Sequence, residues 1–204
     1  MKLANLLILS SSLIFLLCAC SNTATVKVKG ENGFTEEYII DKESKLKNGP
    51  YKKLDEKGTL MEETNYIDDK IDGLRKIYYK NGNVEIEENY KAGEFDGELK
   101  SYYDSGELQL EGNYVKGQML GKWKGYYKSG KLKEVVTFKD NAENGPFIEY
   151  YENGNMKAEG SYLNGDNEHG PLVIYKEDGS VERKMDCVEG RCTTTWSSET
   201  KNEE

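Results

Sequence analysis

The sequence predicts an all-β protein: an elongated, single-layer antiparallel meander of about six repeated β-hairpins, with no helices after the first twenty residues. Three series of residues that recur about every 24 positions carry this prediction. Repeats this short cannot bury a core alone and are typical of arrays in which neighbouring units stack. The series are Gly49, Gly73, Gly97, Gly121, Gly145 and Gly170; Gly58, Gly82, Gly106, Gly130, Gly154 and Gly179; and Tyr66, Tyr90, Tyr114, Phe138 and Tyr162, with Cys187 in the last slot.

The composition agrees with a thin β structure. Of 204 residues only 36% are hydrophobic, while glycine (21) and tyrosine (15) are abundant and proline (3) is scarce. Aromatic rings then supply much of the buried surface. The net charge of −9 argues against a nucleic-acid partner, whose phosphates it would repel.

The first 19 residues are predicted to be a lipoprotein signal peptide. Lys2 precedes an apolar stretch at residues 6–17 that is too short for a stable membrane span. The stretch ends in Leu-Cys-Ala-Cys at 17–20, which resembles a bacterial lipobox, and Cys20 would become the lipid-modified first residue. An ordinary signal peptide or a short anchor helix is the alternative.

Processing at Cys20 determines the expected location. Residues 1–19 carry one charge, that of Lys2, so their removal changes the net charge from −9 to −10. An acidic body is repelled by anionic lipid, so the Cys20 lipid is the only expected membrane contact. The sequence therefore predicts a lipid-anchored protein on the cell membrane or outer membrane, facing the periplasm or the cell exterior.

Two cysteines, Cys187 and Cys192, remain in the exported chain. In an oxidising compartment such a pair favours a structural disulfide, here across a short turn. A redox-active pair is less favoured because the CxxC spacing is absent. A zinc site would need further ligands, and His169 is the only histidine.

One repeat, GLRKIYYKNGNVEIEENY at 73–90, can be read residue by residue. Asn81-Gly82 predicts a two-residue type I′ hairpin turn, since Asn and Gly both tolerate positive φ. That turn fixes the cross-strand register. The predicted pairs, all on one face, are Tyr79 with Val84, Ile77 with Ile86, Arg75 with Glu88, and Gly73 with Tyr90.

The register predicts two unlike faces. One is aromatic and aliphatic, and on it the first glycine series leaves room for opposing rings. The other is charged and carries one tyrosine per hairpin, a candidate surface for a glycan, a peptide or a partner strand. These tyrosines are Tyr78, Tyr102, Tyr126, Tyr150 and Tyr175. Alternatively the rings only cover the thin sheet, or the faces are inverted and Tyr79, Tyr103, Tyr127 and Tyr151 are exposed.

The domain organisation follows from the repeats. Residues 1–19 are the signal peptide, and residues 20–48 are a lipid-anchored tether with an irregular N-terminal capping hairpin. Residues 49–192 hold six repeats of about 24 residues, and residues 193–204 are expected to be a disordered tail.

The repeat pattern, as in GKWKGYYKSGKLKEVVTF (121–138) and GPFIEYYENGNMKAEGSY (145–162), resembles the bacterial MORN-repeat variant. The resemblance covers residues 49–192. It implies an elongated array of β-hairpins and supplies no catalytic residues. Many bacterial members are antitoxin or immunity components, and others are lipoproteins.

No Ser-His-Asp pattern, metal-ligand spacing or glycine-rich phosphate loop occurs. The sequence therefore predicts a protein that is not an enzyme and that has no catalytic residues, metal or cofactor. Three functions are compatible with it: an envelope scaffold for an unknown protein partner, an immunity protein that neutralises a cognate toxin, and a cell-wall or glycan binding module.

Overall fold

The computed structural model describes residues 22–30 and 33–199 as a single antiparallel sheet. Each strand pairs with its neighbours in chain order, except that the short β5 pairs only with β4. No helix among the described residues has the length and apolarity needed to cross a membrane. The strands are β1 (Thr23–Lys29), β2 (Thr35–Asp41), β3 (Lys47–Leu54), β4 (Leu60–Ile67), β5 (Lys70–Ile71), β6 (Gly73–Tyr78), β7 (Val84–Lys91), β8 (Glu94–Tyr102), β9 (Leu108–Val115), β10 (Gln118–Tyr126), β11 (Leu132–Lys139), β12 (Ala142–Tyr150), β13 (Met156–Tyr162), β14 (Gly170–Tyr175), β15 (Val181–Val188) and β16 (Arg191–Ser197).

The predicted all-β meander is confirmed, but its N-terminal hairpin is more regular and its C-terminal end extends further than expected. β1 and β2 pair in unbroken register over seven residues, so the N-terminal hairpin is regular. The residues expected to begin a disordered tail at 193–204 lie instead in β16, which pairs with β15. Its threonines favour a pleated strand over a loop.

The predicted type I′ turn at Asn81-Gly82 is wrong. The Gly82 N–H donates to the Tyr79 carbonyl at 2.9 Å, and the Tyr79 N–H donates to the Asn83 carbonyl at 2.9 Å. Gly82 has a φ of +90°, whereas Asn81 does not lie in the positive-φ region. These features describe a three-residue loop, a type I turn followed by a bulge at Gly82.

The longer loop changes the register at the tip of each hairpin. Ile77 still pairs with Ile86 as predicted, but one residue of β7 is then skipped. A slip of one residue moves a side chain to the other face of the sheet. The aliphatic residue after each turn therefore lies opposite the first tyrosine of the pair, not the second: Val84 opposite Tyr78, Leu108 opposite Tyr102, Leu132 opposite Tyr126, Met156 opposite Tyr150 and Val181 opposite Tyr175.

Two-residue turns with positive φ at both positions occur at the opposite end of the strands, in the linkers. Ala92 and Gly93 have φ of +51° and +89°. The Gly93 N–H also donates to the Ile71 carbonyl of the preceding linker region at 2.8 Å, and Gly117 repeats this contact with Phe95. Each linker is thus bonded to the one before it.

The core lies on one face, which we call the aromatic face. Its most buried side chains include Tyr51, Trp123 and Phe147, at 6%, 3% and 4% exposure. A single-layer sheet reaches such burial only when rings on neighbouring strands cover one another, and ring centroids here are 4.3–6.4 Å apart. The packed rings are Tyr38, Tyr51 and Tyr66; Tyr90, Phe95, Tyr114, Trp123 and Phe138; and Phe147 and Tyr162.

The reason predicted for the first glycine series is also wrong. A Cβ on Gly73 or Gly121 would meet nothing within 4 Å, so these glycines make no room for a ring. They have φ of +96° and +77°, a conformation that side chains disfavour. Glycines that do accommodate a ring include Gly112, where a Cβ would overlap the Trp123 indole, and Gly160, where it would lie 2.9 Å from the Phe147 ring.

We expect Gly112→Ala to lower the free energy of unfolding by about 1–3 kcal/mol, because the added methyl group overpacks the site against the Trp123 ring. Urea denaturation followed by circular dichroism measures the loss. The control is the same substitution in a Trp123→Leu background, since Leu99 fills the equivalent slot one repeat earlier. An equal loss in both backgrounds would contradict the overlap.

Candidate functional site

The face opposite the aromatic face carries a ladder of alternating lysine and glutamate side chains, and we call it the ladder face. From β1 to β10 each member stands directly opposite the next on the neighbouring strand. Cross-strand pairs of opposite charge each contribute about 0.2–1 kcal/mol to a sheet. The members are Lys27, Glu37, Lys52, Glu63, Lys76, Glu87, Lys100, Glu111 and Lys124.

The first tyrosine of each pair is bonded to this ladder. The Tyr78 hydroxyl donates to Glu63 Oε1 at 2.6 Å, in the preceding hairpin. Three of the other four predicted site tyrosines repeat the contact one or more hairpins later. These bonds run from Tyr102 to Glu87 at 3.0 Å, from Tyr126 to Glu111 at 2.8 Å and from Tyr175 to Glu159 at 2.6 Å.

The second tyrosine of each pair is bonded in the other direction. The Tyr79 hydroxyl donates to the Tyr102 carbonyl of the following hairpin at 2.7 Å. Three of the four tyrosine pairs, those that begin with Tyr78, Tyr102 and Tyr126, therefore tie their hairpins to both neighbours. The equivalent bonds run from Tyr103 to Tyr126 at 2.7 Å, from Tyr127 to Tyr150 at 2.6 Å and from Tyr151 to Tyr175 at 2.9 Å.

Burial and these carboxylates shift the titration of the tyrosines. Burial, together with the hydrogen bond to Glu63, raises the pKa of Tyr78 to about 12. Burial and Glu87 raise the pKa of Tyr102 to about 12 in the same way. In return, hydrogen bonds from Lys124 and Tyr126 lower the pKa of Glu111 below its ordinary value of 4.5. The hydroxyls thus remain protonated donors at neutral pH.

Tyr150 departs from the pattern. Val135 occupies the position where the other repeats place the accepting glutamate, and no described residue accepts the Tyr150 hydroxyl proton. From β11 onward the ladder becomes mostly apolar, with Val135, Ile148 and Val173 in register around Glu159. The ladder face therefore changes character from charged to apolar along the array.

The first tyrosines and their aliphatic partners form one continuous strip beside the ladder, which we call the tyrosine column. All of these side chains are half-buried, so part of each ring or aliphatic chain remains open to solvent. The column consists of Tyr78, Val84, Tyr102, Leu108, Tyr126, Leu132, Tyr150, Met156, Tyr175 and Val181.

The other predicted site residues lie apart from this column. Cys187 and Cys192 form a disulfide across the turn between β15 and β16, and Cys187 is 1% exposed. Cys20 lies outside the described residues. Among residues 22–30 and 33–199, no group of three or more His, Cys, Asp or Glu side chains is placed to hold a metal ion.

Sequence reasoning paired Arg75 with Glu88 but missed the network that they form. On the aromatic face, Arg75 Nε lies 2.8 Å from Glu62 Oε1, and Arg75 Nη1 lies 2.9 Å from Glu88 Oε2. Tyr90 donates to the same Glu88 oxygen at 3.1 Å. Arg75 occupies the slot of Trp123 two repeats earlier, so an ion network replaces a ring there. Strand register was the missing signal, because Glu62 belongs to the preceding hairpin.

We expect Tyr126→Phe to lower the free energy of unfolding by about 1–3 kcal/mol at pH 7, since a hydrogen bond to a carboxylate is lost. Tyr150→Phe is the matched control and should change it by under about 0.5 kcal/mol. Because Glu111 has a lowered pKa when folded, its stabilisation is present above its unfolded pKa and is lost as the pH falls through the folded pKa. The loss in free energy of unfolding caused by Tyr126→Phe, measured by urea titration, should accordingly become smaller below about pH 4. A loss that is the same at every pH would contradict the hydrogen bond between Tyr126 and Glu111.

A comparison with protein-family models matches the MORN repeat variant in five consecutive segments, at residues 47–68, 71–92, 95–116, 119–140 and 143–164. The segments have 22 residues each and together cover 110 of the 204 residues. No curated protein matches the chain. The five segments coincide with the repeating strand pairs described above, and the last four of them each contain one tyrosine pair. The family is a non-catalytic repeat module of the interaction type. The chain therefore belongs to the MORN repeat variant family.

Proposed function

We propose that this chain is a non-catalytic envelope lipoprotein whose repeat array is a scaffold for a protein partner, with the ladder face as the surface that the partner covers. The observation that carries the proposal is the tyrosine column. It offers a half-buried ring and an aliphatic side chain from each of five consecutive hairpins, from β6–β7 to β14–β15. Tyrosine is enriched in protein interfaces, where it supplies large contact area.

The column is prepared for binding by the bonds that hold it. Because the hydroxyls of Tyr78, Tyr102 and Tyr126 already donate to glutamates, these rings have little rotamer freedom left to lose. Ordering a mobile side chain at an interface costs about 0.5–1.5 kcal/mol. A partner therefore meets rings that are already in place.

The ladder beside the column is largely neutralised within the array. Lys76 lies 2.9 Å from Glu87, and Lys124 lies 2.9 Å from Glu111. A partner that covers the ladder does not need to supply a counter-charge for each group. This favours a partner surface that is apolar and aromatic along the column, with polar groups over the ladder.

We expect Tyr102→Ser with Tyr126→Ser to abolish binding of the partner. The matched control is Tyr103→Ser with Tyr127→Ser, which also removes two rings and two bonds between hairpins but leaves the column intact. Envelope proteins captured by the full chain are identified by mass spectrometry, and affinity is then measured with purified components.

Circular dichroism must show that both double variants are folded at the temperature of the assay. Loss of affinity in the Tyr102 and Tyr126 variant alone would support the ladder face as the surface that binds the partner. Equal affinities of the two variants would remove the tyrosine column as the binding surface, and selective loss in the control would move the interface to the other face.

The lipid anchor rests on the lipobox-like residues 17–20. We expect Cys20→Ala to abolish incorporation of radioactive palmitate and to prevent cleavage of the signal peptide. Cys18→Ala is the control and should leave both unchanged. Palmitate incorporation that survives Cys20→Ala would show that Cys20 is not the modified residue.

Two other functions share this anchor and this fold. Immunity against a toxin at the envelope is favoured by the resemblance to antitoxin-type repeats, and it predicts a toxin gene beside this one and loss of protection on deletion. A glycan-binding role predicts instead that purified cell wall retains the protein. Neither result is expected if the partner is a resident envelope protein.

A further inference from the structure

The aromatic face has an open cleft of about 170 Å³ between β9 and β12. Its walls are mainly apolar and aromatic, with Met119, Trp123 and Phe138 among them. Two carboxylates, those of Glu134 and Glu143, line the same cleft. We call it the Trp123 cleft.

One glycine distinguishes the repeat that lines this cleft. Gly125 occupies a slot that every other repeat fills with a side chain, namely Lys53, Ile77, Ser101, Glu149 and Ile174. A Cβ at Gly125 would lie only 2.6 Å from Glu134 Oε1. The Glu134 side chain therefore lies over Gly125, where the other repeats place a side chain of their own.

Trp123 carries a polar atom that packing alone does not require, and its ring is the type whose face attracts a cation most strongly. A cation accepts no hydrogen bond, so it is the ring face and not the indole N–H that would contact it. The Trp123 indole N–H is buried and has no hydrogen-bond partner among the described residues. An unsatisfied buried donor costs about 1–3 kcal/mol. Leu99, Phe147 and Leu172 fill the same slot in other repeats with no polar atom at all.

Near the start of the array, aromatic residues on this face surround the ammonium group of a lysine. The Lys47 ammonium lies 4.6 Å from the centre of the Tyr38 ring and 5.0 Å from the centres of the Tyr51 and Tyr66 rings. Aromatic rings at such distances attract a cation through their quadrupole. This face of the sheet thus holds an ammonium group by cation–π contact.

The Trp123 cleft repeats this arrangement 72 residues later, without the internal cation. Trp123 and Phe138 occupy the slots of Tyr51 and Tyr66, and Met119 replaces Lys47. Glu134 and Glu143 add negative charge. In the Arg75 network the residue equivalent to Glu134 is Glu62, and its carboxylate binds a guanidinium at 2.8 Å.

The carboxylates of the cleft are poorly compensated. No described cation lies within 4 Å of Glu143, and burial, Asp166 and Glu134 together raise its pKa. Glu134 has one partner, Lys133, at 3.5 Å, and the Lys133 side chain is 51% exposed. A surface ion pair of this kind contributes little, so the cleft retains an attraction for a further positive charge.

We propose that the Trp123 cleft is a binding site for an organic cation, an alkylammonium or guanidinium group that lies against the Trp123 and Phe138 rings and is neutralised by Glu134 and Glu143. The apolar walls receive the alkyl chain that carries the charge. The site lies on the face opposite the tyrosine column and does not depend on the scaffold function.

The test uses the full chain in nonionic detergent, labelled with ¹⁵N and observed through the indole N–H resonance of Trp123. The probes are N-acetyl-lysine methylamide, its neutral isostere N-acetyl-norleucine methylamide, and putrescine. We expect a saturable shift with the lysine probe, with a Kd on the order of 1 mM as befits a small ligand, and none with the norleucine probe.

Three variants decide whether the cleft is responsible. Glu143→Gln should weaken binding about tenfold, the factor expected for loss of one charged contact. Gly125→Ser, which places in the cleft the residue found at Ser101, should abolish binding. Glu98→Gln is the control, because it removes the same charge from the ladder face and should leave Kd unchanged.

Tighter binding of the lysine probe than of putrescine would assign the ligand to a protein side chain, and the reverse would assign it to a free amine. Equal shifts with the lysine and norleucine probes would overturn the proposal. So would equal weakening by Glu143→Gln and Glu98→Gln, which would show a general attraction of cations to an acidic chain, or no saturation up to about 50 mM, some fifty times the expected Kd.

Discussion

The structure depends on the bonds that join one hairpin to the next. No hairpin in a single-layer sheet has a core of its own, so stability comes from the contacts between neighbours. The paired tyrosines meet this constraint. One hydroxyl reaches back to a ladder glutamate and the other reaches forward to a backbone carbonyl, as Tyr78 and Tyr79 do. The repeats of Tyr78, Tyr102 and Tyr126 are thereby tied to both of their neighbours.

The two faces solve the same problem with different chemistry. The aromatic face buries rings against one another, and Trp123, at 3% exposure, is covered by Tyr114 and Phe138. The ladder face pairs opposite charges across the strands from β1 to β10. Glu63, Glu87 and Glu111 each have lysines on the neighbouring strands and a hydrogen bond from a tyrosine hydroxyl. The same network fixes the rings of the tyrosine column and leaves them half-exposed.

Regularity also makes departures visible. The structural role of a repeated position explains the residue that most repeats place there. A different residue at such a position therefore needs a separate explanation. Arg75 replaces a core ring and brings Glu62 and Glu88 around it. Gly125 lies beneath the Glu134 side chain in the Trp123 cleft, together with a second carboxylate and an indole N–H that has no partner among the described residues. The tyrosine pairs recur, and the hydrogen bonds that recur with them are structural.

The sequence by itself determined the all-β meander, its period and the pairings remote from the turns, such as Ile77 with Ile86, because side-chain alternation and a 24-residue repeat are local properties. It could not determine the loop at Asn81-Gly82, since the same dipeptide serves two turn types, and the wrong choice moved Val84 to the other face. Nor did it reveal that Tyr78 is bonded to Glu63 or that Glu134 and Glu143 share a cleft with Trp123. Those groups belong to different hairpins, and only the alignment of one hairpin on the next, which the tertiary structure decides, brings their side chains together.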